Sequence, residues 1–175
     1  MKNSNKITKI ALLTAILCII SPISINISTV PFSFATLIIM IYSTTFDKWT
    51  SFFSIIIYIL LGAIGLPVFS MYQGGLSKLL SVTGGFIFAY PIMSLFISTF
   101  YKNNYNIVLK YIILFISNII LYTIGTAYFC FISKTSITYG LTITVLPFMI
   151  TDNIKIVITI LINDKLIKIL NKINI

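Results

Sequence analysis

Two ionisable residues lie three positions apart inside an apolar stretch near the C-terminal end of the chain. Residues 145–161 read VLPFMITDNIKIVITIL, in which Asp152 and Lys155 are the only charges. At this spacing on a helix, the two side chains share one face and can pair with each other. A lysine can hold a ligand carboxylate, and an aspartate can accept hydrogen bonds from ligand N–H groups. The pattern indicates either a binding site or a self-neutralised pair that only fixes helix packing.

The composition indicates that these charges lie within a membrane. Of the 175 residues, 58% are hydrophobic and 9% are charged, whereas soluble domains are about 25% charged. Ionisable residues inside a membrane are costly, which favours a functional role for them. The net charge is +9, but the lysines flank apolar runs and form no basic stripe, so nucleic-acid binding is not expected.

Several chemistries are excluded by missing residue types. The sequence has no histidine and only three acidic residues, which leaves no material for a metal cluster or a paired-carboxylate enzyme site. A proton relay through Asp152 and Lys155 remains possible in principle. Cys18 and Cys130 lie in apolar runs and are interpreted as small buried hydrophobes. No phosphate-loop motif is present, so the chain is not expected to hydrolyse ATP. We predict neither enzyme activity, nor a metal, nor a cofactor.

Breaks at prolines, glycines and lysines divide the chain into membrane-spanning segments of about 20 apolar residues. Pro22 and Pro31 divide the first long apolar run, which is interpreted as beginning with a retained helix rather than a cleaved signal. A kink is expected at Pro91, and a polar loop over 133–142. The prediction is an all-α bundle of six transmembrane helices forming a single domain over 1–175, with spans at about 7–24, 31–46, 50–64, 83–101, 107–132 and 146–163.

One segment is too rich in glycine for a regular helix. Six of the eight glycines fall between Gly62 and Gly85, in a stretch that is still largely apolar. Irregular backbone at membrane depth must be buried in protein or line a cavity. We therefore expect 65–82 to form a structured loop that dips toward the membrane.

The lysines predict the orientation, because cytoplasmic loops collect positive charge. With the N-terminus in the cytoplasm, nine lysines fall at cytoplasmic ends, while Lys78 and Lys134 fall outside. Both termini are then cytoplasmic, and the glycine-rich loop faces outward. Lys155 would lie about 14 Å from the cytoplasmic end of its helix, near the middle of the bilayer.

Two stretches resemble motifs of the BioY family, the biotin-binding S components of energy-coupling-factor (ECF) transporters. Residues 62–85, GAIGLPVFSMYQGGLSKLLSVTGG, are similar to its signature loop. Residues 147–155, PFMITDNIK, are similar to its P-F-x-x-G-D-x-x-K segment. The chain departs from the family pattern at Ser81-Val82, which precede Thr-Gly-Gly where Gly-Pro is usual, and at Thr151, where glycine is usual.

The resemblance implies an S-component-like bundle that captures biotin at the bacterial plasma membrane. Its implied partners are a transmembrane T component and two ATPase subunits, with Ala11 and Ala15 on the first helix as the docking surface. An S component for thiamine or riboflavin, or a structural membrane protein without substrate, remains an alternative. The expected biotin-binding residues are Asp152, Lys155, Gln73, Gly74, Gly75, Thr83, Gly84, Gly85 and Tyr90, although a tight turn without ligand contact also explains the glycines.

Overall fold

The computed structural model describes residues 2–25 and 30–172, which are mostly helical. Helix α1 spans Lys2–Ile20 and is followed by two short antiparallel strands, β1 at Ser24–Ile25 and β2 at Phe32–Ser33. The remaining helices are α2 at Ala35–Thr45, α3 at Lys48–Ala63, α4 at Leu76–Leu79, α5 at Gly84–Phe100, α6 at Ile107–Ser133, α7 at Ile137–Thr144 and α8 at Met149–Lys172. Short 3-10 turns lie at Ser70–Tyr72 and Leu146–Phe148.

Polar side chains fix where several helices begin. The Asp47 carboxylate accepts from the backbone N–H of Thr50 at the start of α3, and Asn106 and Ser136 make the equivalent contacts at the starts of α6 and α7. Such caps satisfy backbone donors that have no partner within the helix. At the other end of α6, Lys134 adopts a left-handed conformation that stops the helix.

The β1–β2 pair changes the start of the second helix. Pairing of Ile25 with Phe32 and of Ser24 with Ser33 makes residues 32–33 extended, although the sequence predicts helix from about 31. The Ser33 hydroxyl then accepts the backbone N–H of Ala35, where α2 begins. As a result, Phe32 and Ser33 lie beside the helix bundle instead of within α2.

Two further segments differ from the predicted boundaries. The predicted polar loop over 133–142 includes most of α7, because Ser136 caps a helix instead of continuing the loop. The last helix continues past Asp164 to Lys172, beyond the predicted end near 163. Pro91 lies inside α5, which continues through it to Phe100.

Hydrogen bonds between small side chains connect the helices within an apolar core. Ser43 donates to Ser94 at 2.8 Å between α2 and α5, and the hydroxyls of Thr126 and Thr144 lie 2.6 Å apart between α6 and α7. Small and hydroxyl-bearing residues allow close helix packing in lipid, where the hydrophobic effect between helices is absent. Helices α5 and α2 contribute the most residues to this core.

Two stretches are long and apolar enough to cross a membrane by length and composition. They are Ile107–Ser133 and Ile137–Ile169, the second of which joins α7 to most of α8. Three other apolar helices, Ala35–Thr45, Lys48–Ala63 and Gly84–Phe100, are shorter. The mostly helical fold is confirmed, whereas the count of six spans stays a prediction.

Candidate functional site

The Asp152–Lys155 pair lies on the inner face of α8, within the bundle. The Lys155 Nζ and Asp152 Oδ1 atoms are 2.8 Å apart, and both side chains are less than a tenth exposed. The helix begins after a 3-10 turn that contains Pro147, so Asp152 falls in its first turn. Unpaired backbone N–H groups at a helix N-terminus favour a negative charge there. The fold thus stabilises the carboxylate from its own helix.

Strand β2 and the first turn of α2 supply most of the partners of Lys155. Its ammonium donates to the backbone carbonyl of Ser33 at 3.0 Å and to the Thr36 hydroxyl at 2.9 Å. The Phe32 ring lies over the same ammonium, 4.2 Å from the ring centroid, which is a favourable cation–π distance. With Asp152 included, three oxygens lie within 3.0 Å of the ammonium.

Asp152 is held differently at its two oxygens. Oδ2 accepts a hydrogen bond from the Tyr122 hydroxyl of α6. Oδ1 faces Lys155 at ion-pair distance, but among the described residues it accepts no hydrogen bond of acceptable alignment. A carboxylate oxygen has two acceptor sites, so Oδ1 keeps the capacity to accept a further N–H donor.

A small cavity adjoins the pair. Its volume is about 50 Å³, whereas small-molecule sites commonly measure about 300–1,000 Å³. Accommodating a molecule of that class requires the walls to move apart. The walls combine aromatic and aliphatic side chains with a few polar groups, namely Val30, Pro31, Phe32, Ser33, Thr36, Phe86, Tyr90, Leu121, Tyr122, Thr144, Phe148, Asp152 and Lys155.

Of the predicted binding residues, the structure brings Asp152, Lys155 and Tyr90 together at this cavity. Gln73, Gly74 and Thr83 instead line a separate open cleft of about 510 Å³. That cleft is polar in character, because Ser77, Lys78 and Ser81 also line it. The glycine-rich segment therefore does not form the opposite wall of the cavity in this structure.

The predicted glycines have packing reasons of their own. A Cβ at Gly74 would lie 2.2 Å from the carbonyl oxygen of Leu66, and one at Gly84 only 1.7 Å from that of Leu79. A Cβ at Gly85 would meet the Tyr128 side chain at 2.3 Å. Gly75 has a φ of 87°, which favours glycine at the start of α4. Close packing at Gly74, Gly84 and Gly85 and the backbone conformation at Gly75 account for these residues without a ligand.

Four residues that contact the charged pair were not predicted from the sequence: Phe32, Ser33, Thr36 and Tyr122. Ser33 acts through its backbone carbonyl, which any residue possesses. Tyr122 is one of ten tyrosines, and its apolar surroundings in α6 do not distinguish it from the others. Only the charges on α8 carried a signal strong enough to be recognised in the sequence.

Ala11 and Ala15 lie on an exposed face of α1. They line an apolar groove of about 570 Å³, whose other side is formed by Phe53, Ile57 and Leu61 of α3. The groove lies apart from the cavity at the charged pair, because the two share no lining residue. A neighbouring helix can approach closely where side chains are this small.

Comparison with known proteins gives matches over nearly the whole chain. Biotin transporter BioY2 of Lactococcus lactis subsp. cremoris is 31% identical over 96% of this chain and 93% of its own length. The probable biotin transporter BioY of Pyrococcus horikoshii is 29% identical over 93% of this chain and 96% of its own. Both relatives are named as biotin transporters, which agrees with the prediction that the chain is not an enzyme.

A solved structure shares the fold. The crystal structure of the S-component for biotin from an ECF-type ABC transporter superposes with a TM-score of 0.84, covering 95% of this chain and 93% of that one at 24% identity. A sequence model of the BioY family matches residues 1–172. The predicted resemblance is thereby confirmed, and the chain belongs to the BioY family.

Proposed function

We propose that this protein captures biotin from outside the cell and is the substrate-binding S component of an ATP-driven ECF transporter. The observation that carries the proposal is the buried Asp152–Lys155 pair, which lines a cavity. One oxygen of its carboxylate accepts no aligned hydrogen bond from the described residues. Biotin offers a carboxylate at one end and ureido N–H groups at the other. The names of the matched relatives support biotin as the ligand.

In the proposed binding mode, the ligand exchanges partners with the ion pair. The biotin carboxylate takes the place of Asp152 beside the Lys155 ammonium, which keeps its bonds to Ser33 and Thr36. The Asp152 carboxylate, released from Lys155, accepts the ureido N–H groups. Lys155 thus keeps an anionic partner, and the Asp152 carboxylate exchanges its charged partner for neutral hydrogen-bond donors, which lowers the cost of leaving it buried.

The remaining predicted ligand contacts belong to the same proposal. Tyr90 is suited to forming an apolar wall, since it already lines the cavity. Gln73, Gly74, Gly75, Thr83, Gly84 and Gly85 would contact biotin only if their segment approached the cavity on binding. Such movement is compatible with a cavity of about 50 Å³ that must enlarge for a bicyclic ligand.

The transport role requires partners that supply energy. We propose that a transmembrane T component docks at the α1 groove around Ala11 and Ala15, and that two ATPase subunits drive transport. The exposure of these small residues beside an apolar groove supports that choice. The lysine distribution favours six spans in the plasma membrane with both termini cytoplasmic.

The direct test is equilibrium binding of labelled biotin to the purified protein and to Lys155→Ala and Asp152→Ala. Removing one member of a buried charge pair costs about 2 kcal/mol or more in binding, which corresponds to at least about 30-fold weaker affinity. Lys110→Ala is the matched control, because Lys110 is an equally buried lysine paired with an α8 aspartate. That variant should bind within about twofold of wild type.

Two results would contradict the proposal. Binding of biotin at wild-type affinity by folded Lys155→Ala and Asp152→Ala would show that the pair does not hold the ligand. Failure of the wild type to bind biotin, with binding of thiamine or riboflavin instead, would show that the ligand is a different vitamin. Mass spectrometry of any ligand that co-purifies would identify it.

A further inference from the structure

The Tyr122–Asp152 hydrogen bond engages one oxygen of the carboxylate and leaves the other beside Lys155. Tyr122 projects from α6, thirty residues earlier in the chain, and donates to Oδ2. The other oxygen, Oδ1, lies 2.8 Å from Lys155 without an aligned hydrogen bond. An ammonium and a carboxylate this close would ordinarily form a short, directed bond. The α6 hydroxyl therefore competes with Lys155 for the orientation of the carboxylate.

The Tyr122 ring also lines more than one space in the structure. It lines the cavity at the ion pair and also two neighbouring spaces, a pocket of about 130 Å³ beside Asn153 and an apolar groove of about 420 Å³ between α6 and α7. The ring is thus a shared wall, while the hydroxyl alone contacts Asp152. Replacement by phenylalanine keeps the wall and removes the hydroxyl.

We infer that Tyr122 is a positioning residue that keeps the Asp152–Lys155 pair easy to separate. Its hydroxyl holds Oδ2, so the carboxylate cannot rotate into an aligned bond with the ammonium. Once a ligand anion takes the place of Asp152 beside Lys155, Oδ1 can accept an N–H donor from the ligand at little cost in broken protein hydrogen bonds. That the donor is a ureido group of biotin rests on the proposed function; the orientation of the carboxylate does not.

Without the hydroxyl, the pair should close. In Tyr122→Phe, the Asp152 carboxylate is released from α6 and its remaining strong donor is Lys155. We expect it to rotate until one oxygen accepts an aligned hydrogen bond from Nζ. A ligand would then have to break that bond, and its affinity should fall about tenfold, as for loss of a hydrogen bond to a charged group.

Tyr111 provides a matched control on the same pair of helices. It precedes Tyr122 by three helical turns on α6, is similarly half-buried, and donates its hydroxyl to the Asn153 side-chain oxygen of α8. It does not line the cavity at the ion pair. Tyr111→Phe removes an inter-helix hydrogen bond of the same kind, so it measures the effect of weakened α6–α8 packing alone.

The experiment combines a ligand-free crystal structure of Tyr122→Phe with labelled-biotin binding to the wild type and to both tyrosine variants. The expected result is a rotated Asp152 carboxylate bonded to Lys155, about tenfold weaker binding by Tyr122→Phe, and binding within about twofold of wild type by Tyr111→Phe. A carboxylate that keeps its orientation in Tyr122→Phe overturns the inference, as does equal weakening in both variants. If the wild type binds no biotin, the proposed function fails, but the ligand-free structure still decides the role of Tyr122.

Discussion

Two ion pairs on α8 have the same length but different surroundings. Lys155–Asp152 and Lys110–Asp164 are each 2.8 Å long, and both lysines are 6% exposed. The aspartates differ, since the side chain of Asp152 is 8% exposed and that of Asp164 is 51% exposed. The first pair lies within one helix beside a cavity, whereas the second joins α8 to α6.

The difference concerns what becomes of each aspartate when its lysine is removed. The Asp164 side chain is about half exposed, so its carboxylate can find other partners outside the protein. Asp152 has no such access, so its charge would remain buried with Tyr122 as the one side-chain donor among the described residues. A pair that is buried on both sides is expensive to retain for packing alone, because apolar residues often serve at least as well. This favours a ligand as the reason for Asp152–Lys155.

The largest expected effect on stability comes from removing one charge of the Asp152–Lys155 pair, compared with removing both. Lys155→Met alone should reduce the free energy of unfolding by about 3–5 kcal/mol, because it strands the buried Asp152 carboxylate. The double variant Lys155→Met, Asp152→Leu should regain most of that stability. Thermal unfolding and labelled-biotin binding, measured on both variants, check the two consequences separately.

The double variant should not regain binding. It restores an apolar interior but contains neither the ammonium for a carboxylate nor the acceptor for N–H groups. Wild-type biotin affinity in the double variant would mean that the pair only fixes helix packing, which is the structural alternative that the sequence leaves open.

A smaller effect is expected at the second pair. Lys110→Ala should lower the free energy of unfolding by about 1 kcal/mol, in the range of pairs with solvent access on one side. Its aspartate remains partly exposed and is not left as a buried, unpaired charge. Thermal unfolding at low and high salt measures this cost. A loss of stability as large as that in Lys155→Met would show that exposure of the acid does not distinguish the two pairs.

The same contrast explains which parts of the site could be predicted from the sequence. Asp152 and Lys155 are recognisable because a charge in an apolar membrane segment has a high energetic cost and usually has a functional role. Ser33 contributes a backbone carbonyl and Tyr122 a hydroxyl among many tyrosines. Neither residue type is unusual in a membrane helix or loop, so only the three-dimensional structure identifies them.

The fold was predictable to a similar degree. Apolar runs interrupted by prolines and lysines locate the helices, but their ends depend on contacts that the sequence does not display. Pairing of Phe32 with Ile25 delays the start of α2, and capping by Ser136 starts α7 inside a polar segment. The glycines between Gly62 and Gly85 signalled irregular backbone, yet most of them are explained by close packing in the structure.

A third ion pair extends the comparison to the exposed limit. Lys6 and Asp47 lie 3.7 Å apart, with side chains 43% and 59% exposed. Asp47 also caps α3 by accepting from the backbone and hydroxyl of Thr50. Partial burial alone would raise the pKa of Asp47, but the Thr50 hydrogen bonds and the Lys6 charge together hold it below the usual value.

The smallest effect is therefore expected for Lys6→Ala, which should cost no more than about 0.5 kcal/mol at neutral pH. Since the pKa of Asp47 is lowered in the folded state, its contribution is present above the usual carboxyl pKa and is lost as pH falls through the lowered value. The unfolding temperatures of wild type and Lys6→Ala should accordingly differ slightly at neutral pH and converge in acid. Lys9→Ala is the control, because it removes the same charge from α1 without a described ion pair to Asp47. A difference in unfolding temperature that persists after Asp47 is protonated would mean that Lys6 stabilises the fold through packing of its aliphatic stem. The stability effects of the three ion pairs could then not be ordered by their exposure alone.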